Sequence, residues 1–403
     1  MKYSLHRPIK LIAVLLITLF FTACSESNKK SESIELPDDY LSLGLERSLD
    51  QLKKAIEINS EAGKFPRSTN SDGSLHAVDA YDWTSGFYPG LLWYAFETSG
   101  DSLFLKEAVK WTDALEEIQY DSSTHDLGFM LYCSYGNAIR LTGDEMYAPI
   151  LEQGARTLIT RYNEKTGCIQ SWGSSEKWQF PVIIDNMMNL EYLFYATKTT
   201  GDSLFYDIAI SHADKTIEHH FRDDGGSVHV VDYNPETGEV NGRFTHQGYS
   251  DNSSWSRGQS WGLYGYIMTF RETGEHRYLE KAESIAQFLL NHPNYPQDGI
   301  PYWDYDAPGI PDVPRDAAAA SIMASALIEL SEYSETHSNQ YLDAAKHILQ
   351  NLTSSKYLSE VASNQGFILK HATGHFPAGS EIDISIIYAD YYYLEALLRL
   401  SHK

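Results

Sequence analysis

The sequence predicts an all-α (α/α)6 toroid, a closed ring of six helical hairpins with long loops gathered at one end. Three observations carry that prediction. Runs that are apolar on nearly all sides alternate with amphipathic ones, and a helix apolar all round must be buried whereas one with a charged face meets water. The buried runs end repeatedly on one turn signature: Ser99-Gly100-Asp101, Thr142-Gly143-Asp144, Thr200-Gly201-Asp202 and Thr273-Gly274-Glu275. Glycine accepts the left-handed backbone that closes a helix, and the acid after it favours the next helix start. Finally, the units recur at about forty to about seventy residues, too irregular for a simple open solenoid and suited to a ring with long inserted loops.

In chain order, the first segment stands outside this ring. Lys2, Arg7 and Lys10 precede the apolar run Leu11–Phe21, which ends at Thr22-Ala23-Cys24 and gives way to a Ser/Glu/Lys-rich stretch. The run is too short for a stable bilayer span, and the layout is that of a secretory signal. A small residue directly before a cysteine resembles a bacterial lipoprotein signal. Residues 1–23 are therefore expected to be removed, Cys24 to carry lipid, residues 24–37 to form a flexible tether and residues 38–403 to form the folded domain. The expected location is that of an exported bacterial lipoprotein, in the periplasm or at the outer membrane, touching membrane only through its lipid. Ordinary signal cleavage with an incidental cysteine is the alternative.

The amphipathic segment Tyr40–Asn59 opens the domain. The inner runs are Trp83–Thr98, Gly128–Leu141, Asn186–Thr199, Gly258–Glu272, Ala317–Tyr333 and Ile386–Leu400. Amphipathic partners follow them, one reaching about Ile118 and another spanning Tyr341–Leu352. Long loops at Lys64–Asp82, Asp121–Asp126, Tyr162–Ile184, Phe221–Trp255, Asn291–Arg315 and Leu358–Ser385 each precede an inner run. All six should therefore meet at one end, where a rigid scaffold commonly carries its function. In the fourth, Ser227–Tyr233 and Glu239–Phe244 flank Asn-Pro-Glu-Thr-Gly and predict a β-hairpin.

A net charge of −24 argues against nucleic acid and anionic membrane surfaces as partners. The 28 Tyr and 8 Trp suit carbohydrate, because their rings offer both a flat face and a polar edge, but they also suit a large core. Cys133 and Cys168 allow one disulfide at most. No zinc helix, phosphate loop or EF-hand spacing is present, since Gly238 falls one place late in Asp232–Gly238. Neither a metal nor a cofactor is called for. His219-His220 reads as a solvated helix end.

Where the loops enter the inner runs, the residues are unusually polar: Asp82-Trp83-Thr84, His125-Asp126, Asp185-Asn186, Arg257-Gly258-Gln259 and Arg315-Asp316. Singly, Asp82, Asp126 and Asp185 read as helix N-caps, Arg257 as a partner for one of them and the tryptophans as core. Jointly they describe a pocket of paired acids, arginine and aromatic walls, which favours a site. Asp185 ends the apolar lead-in Pro181–Ile184, and an acid in such surroundings tends to keep its proton.

Several of these stretches match a known pattern. His125-Asp126-Leu127-Gly128-Phe129, Asp185-Asn186-Met187-Met188-Asn189, Trp255-Ser256-Arg257-Gly258-Gln259-Ser260-Trp261, and Glu381-Ile382-Asp383 followed by Tyr388-Ala389-Asp390-Tyr391-Tyr392 resemble glycoside hydrolase family 88, the unsaturated glucuronyl hydrolases. The resemblance implies the same toroid, Asp185 as general acid and base, and Asp126 as second catalytic carboxylate. It implies substrate contacts at His125, His229, Thr245, Gln247, Arg257 and Trp261, with Trp83 and Trp172 as stacking walls. The implied reaction is hydration of the C4=C5 enol ether left by polysaccharide lyases on a terminal uronic acid of glycosaminoglycan type. Two alternatives stand beside it: the related hydrolases acting on unsaturated rhamnogalacturonan fragments, and a non-catalytic glycan-binding lipoprotein.

Overall fold

The computed structural model describes residue 1, residues 36–59 and residues 63–403. The expected signal segment beyond Met1, Cys24 and the tether to residue 35 lie outside the described residues. The described residues from 36 onward belong to one compact unit.

Twelve α-helices among the described residues form six hairpins. They are α1 (Tyr40–Ile58), α2 (Phe87–Ser99), α3 (Ser102–Asp113), α4 (Asn137–Thr142), α5 (Ala148–Ile159), α6 (Leu190–Thr200), α7 (Ser203–His220), α8 (Ser256–Thr273), α9 (His276–Leu290), α10 (Ala317–Tyr333), α11 (Ser338–Leu352) and α12 (Ile387–Ser401). The even-numbered helices are the inner set. α12 packs on α2, on α10 and on α1, so that the last inner helix closes the ring against the first. Nearly every residue of α8, α10 and α12 is buried.

The recurrent turn works as its composition implies. Gly100, Gly143, Gly201 and Gly274 take φ of 65°, 67°, 72° and 70°, the left-handed region that carries little penalty for glycine alone. Asp101, Asp144 and Asp202 then accept from the amides of Leu103, Met146 and Leu204 at 2.9, 3.0 and 3.0 Å. Each pins the following helical segment with an N-cap, a contact generally worth about 1 kcal/mol.

Three inner helices start differently from the sequence expectation. Trp83 precedes α2 in a turn rather than opening the helix. The run from Gly128 begins as a π-helix, Gly128–Gly136, before becoming α4. The third begins as a 3-10 turn, Ile184–Asn189, ahead of α6. Each irregular start coincides with residues of the mouth, where wider or tighter turns re-aim side chains.

Short strands line the loop end. β1 (Phe65–Thr69) pairs with β2 (Leu75–Val78), β3 (Tyr162–Asn163) with β4 (Cys168–Ile169), and β8 (Ala372–His375) with β9 (Ser380–Ile384). The predicted hairpin is present as β6 (Val230–Tyr233) and β7 (Val240–Phe244), and β5 (Pro181–Ile183) adds a third strand to it. The apolar lead-in to Asp185 is thus an edge strand of a small sheet.

One smaller expectation is corrected. His220 is fully buried, with its Nε2 3.1 Å from the Val182 carbonyl, because the end of α7 is packed under β5 rather than left in solvent. Cys133 and Cys168 are both free thiols.

Candidate active site

β5 sets the position of Asp185. It pairs with β6 through Ile183 and Val230, and the Ile184 amide then donates to the His229 carbonyl at 3.1 Å. This register brings the His229 ring beside the Asp185 carboxylate, with Nε2 3.6 Å from Oδ2. The Asn186 amide group, one residue on, donates to the Ile169 carbonyl and ties the turn to β4.

Asn189 joins this segment to the one carrying Asp126. Its Oδ1 accepts from the Phe129 amide at 3.1 Å, satisfying an unpaired donor at the start of the π-helix. Its Nδ2 donates to Asp126 Oδ1 at 3.4 Å. Gly128 permits the approach, since a Cβ there would lie 2.5 Å from Asn189 Oδ1 and 2.8 Å from its Cα.

Neither Asp126 nor Asp185 acts as an N-cap, contrary to the residue-by-residue reading: no side-chain cap bond forms at either helix start. With the amides served by Asn189 and by backbone, both carboxylates face a cavity of about 260 Å3. Asp82 does hold a turn, accepting from the Thr84 amide, and also pairs with Arg67 at 2.8 Å. Arg257 pairs with none of these three. It is 2 % exposed and donates to Asp316 at 2.6 Å and to the carbonyls of Thr373 and Gly374. Asp316 also caps α10, which fixes the guanidinium against a rigid helix start.

Burial dominates the titration of the pair. Desolvation pushes both Asp126 and Asp185 up to about 7. For Asp185, Arg257 pulls back and the Asp126 charge pushes further up. For Asp126, the hydrogen bonds of Asn189 and Thr124 oppose the burial. Two such neighbours titrate as a unit that resists double ionisation.

The histidines around them are neutral. Burial drives His125 down to about 3 and His246 to about 4, and holds His229 well below the ordinary range. His229 Nδ1 accepts from the amides of His246 and Gln247 at 3.2 and 3.1 Å, leaving the proton on the Nε2 that faces Asp185. His125 lies with Nε2 3.4 Å from Asp126 Oδ1. The cationic groups on the cavity wall are therefore Arg257 and Arg67.

Of the expected site residues, Trp83, His125, Asp126, Trp172, Asp185, Gln247 and Arg257 line one cavity. His229 sits directly behind Asp185. Trp261 is fully buried beneath the floor, 5.3 Å from the Phe129 ring, with its indole N–H directed at Asp185 but not closing a full hydrogen bond. It is not among the residues that line this cavity. Thr245 is not in the lining. Its hydroxyl accepts from the Gly248 amide and serves the turn that carries Gln247. Of the six loops, all but the fifth line this cavity, and the fifth supplies support through Arg315, whose carbonyl accepts from Thr373.

Arg67, Phe129, His246, His375, Glu381 and Tyr388 also line the cavity and were not assigned from the sequence. Phe129, Glu381 and Tyr388 stand inside recognised motifs, so a signal existed for them. Arg67 lies on β1 with no local signature. It is held between Glu381 at 2.7 Å and Asp82.

The unpartnered buried polar atoms include both nitrogens of His125, Asp185 Oδ2, His229 Nε2 and Trp261 Nε1. Several such atoms around one void mark a place prepared for a polar ligand. Among the described residues, no group of three or more His, Cys, Asp or Glu is placed to hold a metal ion.

The chain is similar to a family of known proteins. The model of the family described as Glycosyl Hydrolase Family 88 matches residues 57–295. An unsaturated glucuronyl hydrolase of Formosa agariphila is 43% identical over 400 residues, 98% of each chain. An unsaturated chondroitin disaccharide hydrolase of Streptococcus pneumoniae is 32% identical, over 91% of this chain and 96% of its own. Among solved structures, an unsaturated glucuronyl hydrolase specific for heparin superposes with a TM-score of 0.89 at 48% identity, covering 91% of this chain and 98% of its own.

Proposed function

The chain belongs to glycosyl hydrolase family 88, and from that premise we propose that Asp185 is its general acid and base and Asp126 the second catalytic carboxylate. The protein is a hydrolase that removes the terminal 4,5-unsaturated uronic acid from glycosaminoglycan-type oligosaccharides.

The C4=C5 double bond is conjugated with the C5 carboxylate and bonded to the ring oxygen, so it is an enol ether. Protonation at C4 draws the π electrons into a new C–H bond and leaves oxocarbenium character at C5. Asp185 in its neutral form supplies that proton. The carboxylate it becomes takes a proton from water as the water oxygen bonds to C5. The resulting hemiketal opens by breaking the C5–O5 bond to give a ketone at C5, the hemiacetal left at C1 then collapses to an aldehyde and releases the remaining sugar as its alcohol, and the net change is the addition of one water. General acid–base assistance of this kind is generally worth about 10²–10⁴ in rate. Since no glycosidic carbon is attacked, the carboxylate spacing that sorts retaining from inverting glycosidases does not apply.

One observation supports an acid in this pocket: burial pushes both Asp185 and Asp126 to about 7, so a proton is available near neutrality, and the resemblance of the Asp185 motif gives that role to Asp185. Asp126, bridged by Asn189 and flanked by His125, is suited to holding sugar hydroxyls. Arg257 and Arg67 are the cations available to the substrate carboxylate, because the nearby histidines are neutral. Trp83 and Trp172 offer ring faces to the cavity from separate segments of the mouth, and Gln247 adds a polar contact. Loss of the conjugated ultraviolet absorbance of a lyase-generated disaccharide measures the reaction. Asp185→Asn should lower kcat by about 10²–10⁴ with an unchanged circular dichroism spectrum; wild-type rates in that variant would remove Asp185 from the mechanism.

Heparin-type fragments are the first substrates to test, given the heparin-specific relative at 48% identity. A higher kcat/KM on chondroitin-type disaccharides would reverse that order. For location, the Lys/Arg start, the apolar run and Ala23-Cys24 support export and lipidation at Cys24. Cys24→Ser should release the protein from the membrane fraction, and retention there would exclude the lipid anchor.

A further inference from the structure

Burial alone does not decide which acid keeps the proton when the pair holds only one, since it pushes both Asp126 and Asp185 up to about 7. The hydrogen bonds around the two are unequal. Asp126 meets two donors: Asn189 Nδ2 lies 3.4 Å from its Oδ1, and the Thr124 hydroxyl lies 3.4 Å from its Oδ2. The other end of the Asn189 amide settles its orientation. Its Oδ1 accepts from the Phe129 backbone N–H at 3.1 Å, so the NH2 is the end that faces Asp126. Asn189 itself is fully buried.

Asp185 stands four residues before Asn189 on the same 3-10 turn, Ile184–Asn189, and meets the opposite environment. Its Oδ2 is enclosed without a partner. The two donors directed at it, His229 Nε2 at 3.6 Å and the Trp261 indole N–H, do not close a bond. An ionised carboxylate loses more than a neutral carboxyl when its oxygens lack donors. The charge therefore belongs on Asp126 and the proton on Asp185.

The fixed charges favour the same division. Arg161, the cation that pulls on Asp126, donates to the carbonyls of Ser122, Gln170 and Ser171 and, among the described residues, to no carboxylate. Arg257, which pulls on Asp185, is already paired with Asp316 at 2.6 Å. Of the other groups at the cavity, Arg67 is held by Glu381 and Asp82. Burial pushes His125, His229, His246 and His375 toward the neutral form.

We propose, on the reading that Asp185 is the acid, that Asn189 is a positioning residue for the reactive proton. By donating to Asp126, with Thr124 as the second donor, it holds the single negative charge of the pair on Asp126 and so keeps the proton on Asp185.

The test is the pH dependence of kcat on an unsaturated disaccharide for the full chain, its Asn189→Leu, Thr124→Val and Asp126→Asn variants, and the double variant Asn189→Leu/Asp126→Asn. Leucine matches the shape of asparagine without the donor, and circular dichroism checks each fold. With the donor gone, Asp126 keeps its own proton to higher pH, and Asp185 ionises more easily beside a neutral neighbour. The basic limb in Asn189→Leu should move to lower pH by about half a pH unit or more, and no further than in Asp126→Asn. Relative to the acid plateau, kcat at pH 8 should then lie at least about threefold below wild type. Thr124→Val, at a half-buried site, should move the limb the same way by less. The double variant should keep the limb of Asp126→Asn, since no charge is left there to stabilise.

A merely structural Asn189 would instead lower kcat alike at every pH. A limb that stays in place in folded Asn189→Leu, or that moves further in the double variant, would overturn the proposal and leave Asp185 as the acid. A limb that moves to higher pH would make Asp126 the acid and overturn both. If Asn189→Leu does not fold, Thr124→Val decides: movement of its limb to lower pH supports the proposal, and no movement overturns it.

Discussion

The Asp126–Asp185 pair makes a specific demand on the pH dependence of the reaction. In the proposed mechanism Asp185 must be protonated to act, and burial, which disfavours the charged form, pushes its carboxyl up to about 7. Activity should therefore be level on the acid side and fall with the ionisation of the pair. With a value of about 7, the competent fraction is about one half at pH 7, about one tenth at pH 8 and about one hundredth at pH 9. Asp126→Asn removes a negative charge that raises Asp185 while leaving the burial in place. The basic limb of kcat should then move toward lower pH, by about one unit for a coupling of about 1.4 kcal/mol. It should still lie above the value for an exposed aspartate. The measurement is the residual bleaching rate of an unsaturated disaccharide from pH 4 to 9 in both proteins. A wild-type limb near 4 would refute the raised acid. A limb that stays in place or moves upward in Asp126→Asn would refute the coupling.

The same burial has a cost in stability, with a definite sign. Between about pH 4 and about pH 7 the folded chain keeps protons on Asp126 and Asp185 that the unfolded chain has released, so stability falls as pH rises through that window. Asp185→Asn removes one of these groups and should raise Tm more at pH 8 than at pH 5; an equal or larger gain at pH 5 would contradict the linkage. Gly128→Ala places a methyl group 2.5 Å from Asn189 Oδ1 and must displace the Asp126 segment. A loss of about 10–100-fold in kcat/KM is expected, and unaltered kinetics would show that the segment tolerates the shift. Asp316→Asn strips the charge from a fully buried partner of Arg257, a change that should destabilise by about 3 kcal/mol and raise KM for the anionic substrate. Unchanged thermal melts and KM would place the arginine's support in the Thr373 and Gly374 carbonyls alone.

How far the sequence revealed this molecule depends on the range of the physics involved. The ring was legible because its determinants are local. All-apolar runs declare burial, and Thr-Gly-Asp declares a left-handed turn followed by a cap. The motif residues around Asp126, Asp185 and Arg257 were legible because their spacing is fixed by single helix starts and by one sheet. The irregular first turns were hidden, since the π-helix at Gly128 and the 3-10 turn at Ile184 are imposed by the packing of one inner helix against the next. That same packing answers the N-cap reading. Asn189 reaches across to serve the Phe129 amide, and this frees the acids that a one-dimensional view assigns to capping. Arg67 was hidden because its meaning lies in Glu381, 314 residues away in sequence. Trp261 shows the opposite case, a motif residue whose position reads as contact but whose depth in α8 makes it a floor. Its N–H, directed at Asp185, still gives it a part in the site: it faces the carboxylate proposed as the acid. A sequence motif reports that a residue belongs to the site, and only the packing reports from which side.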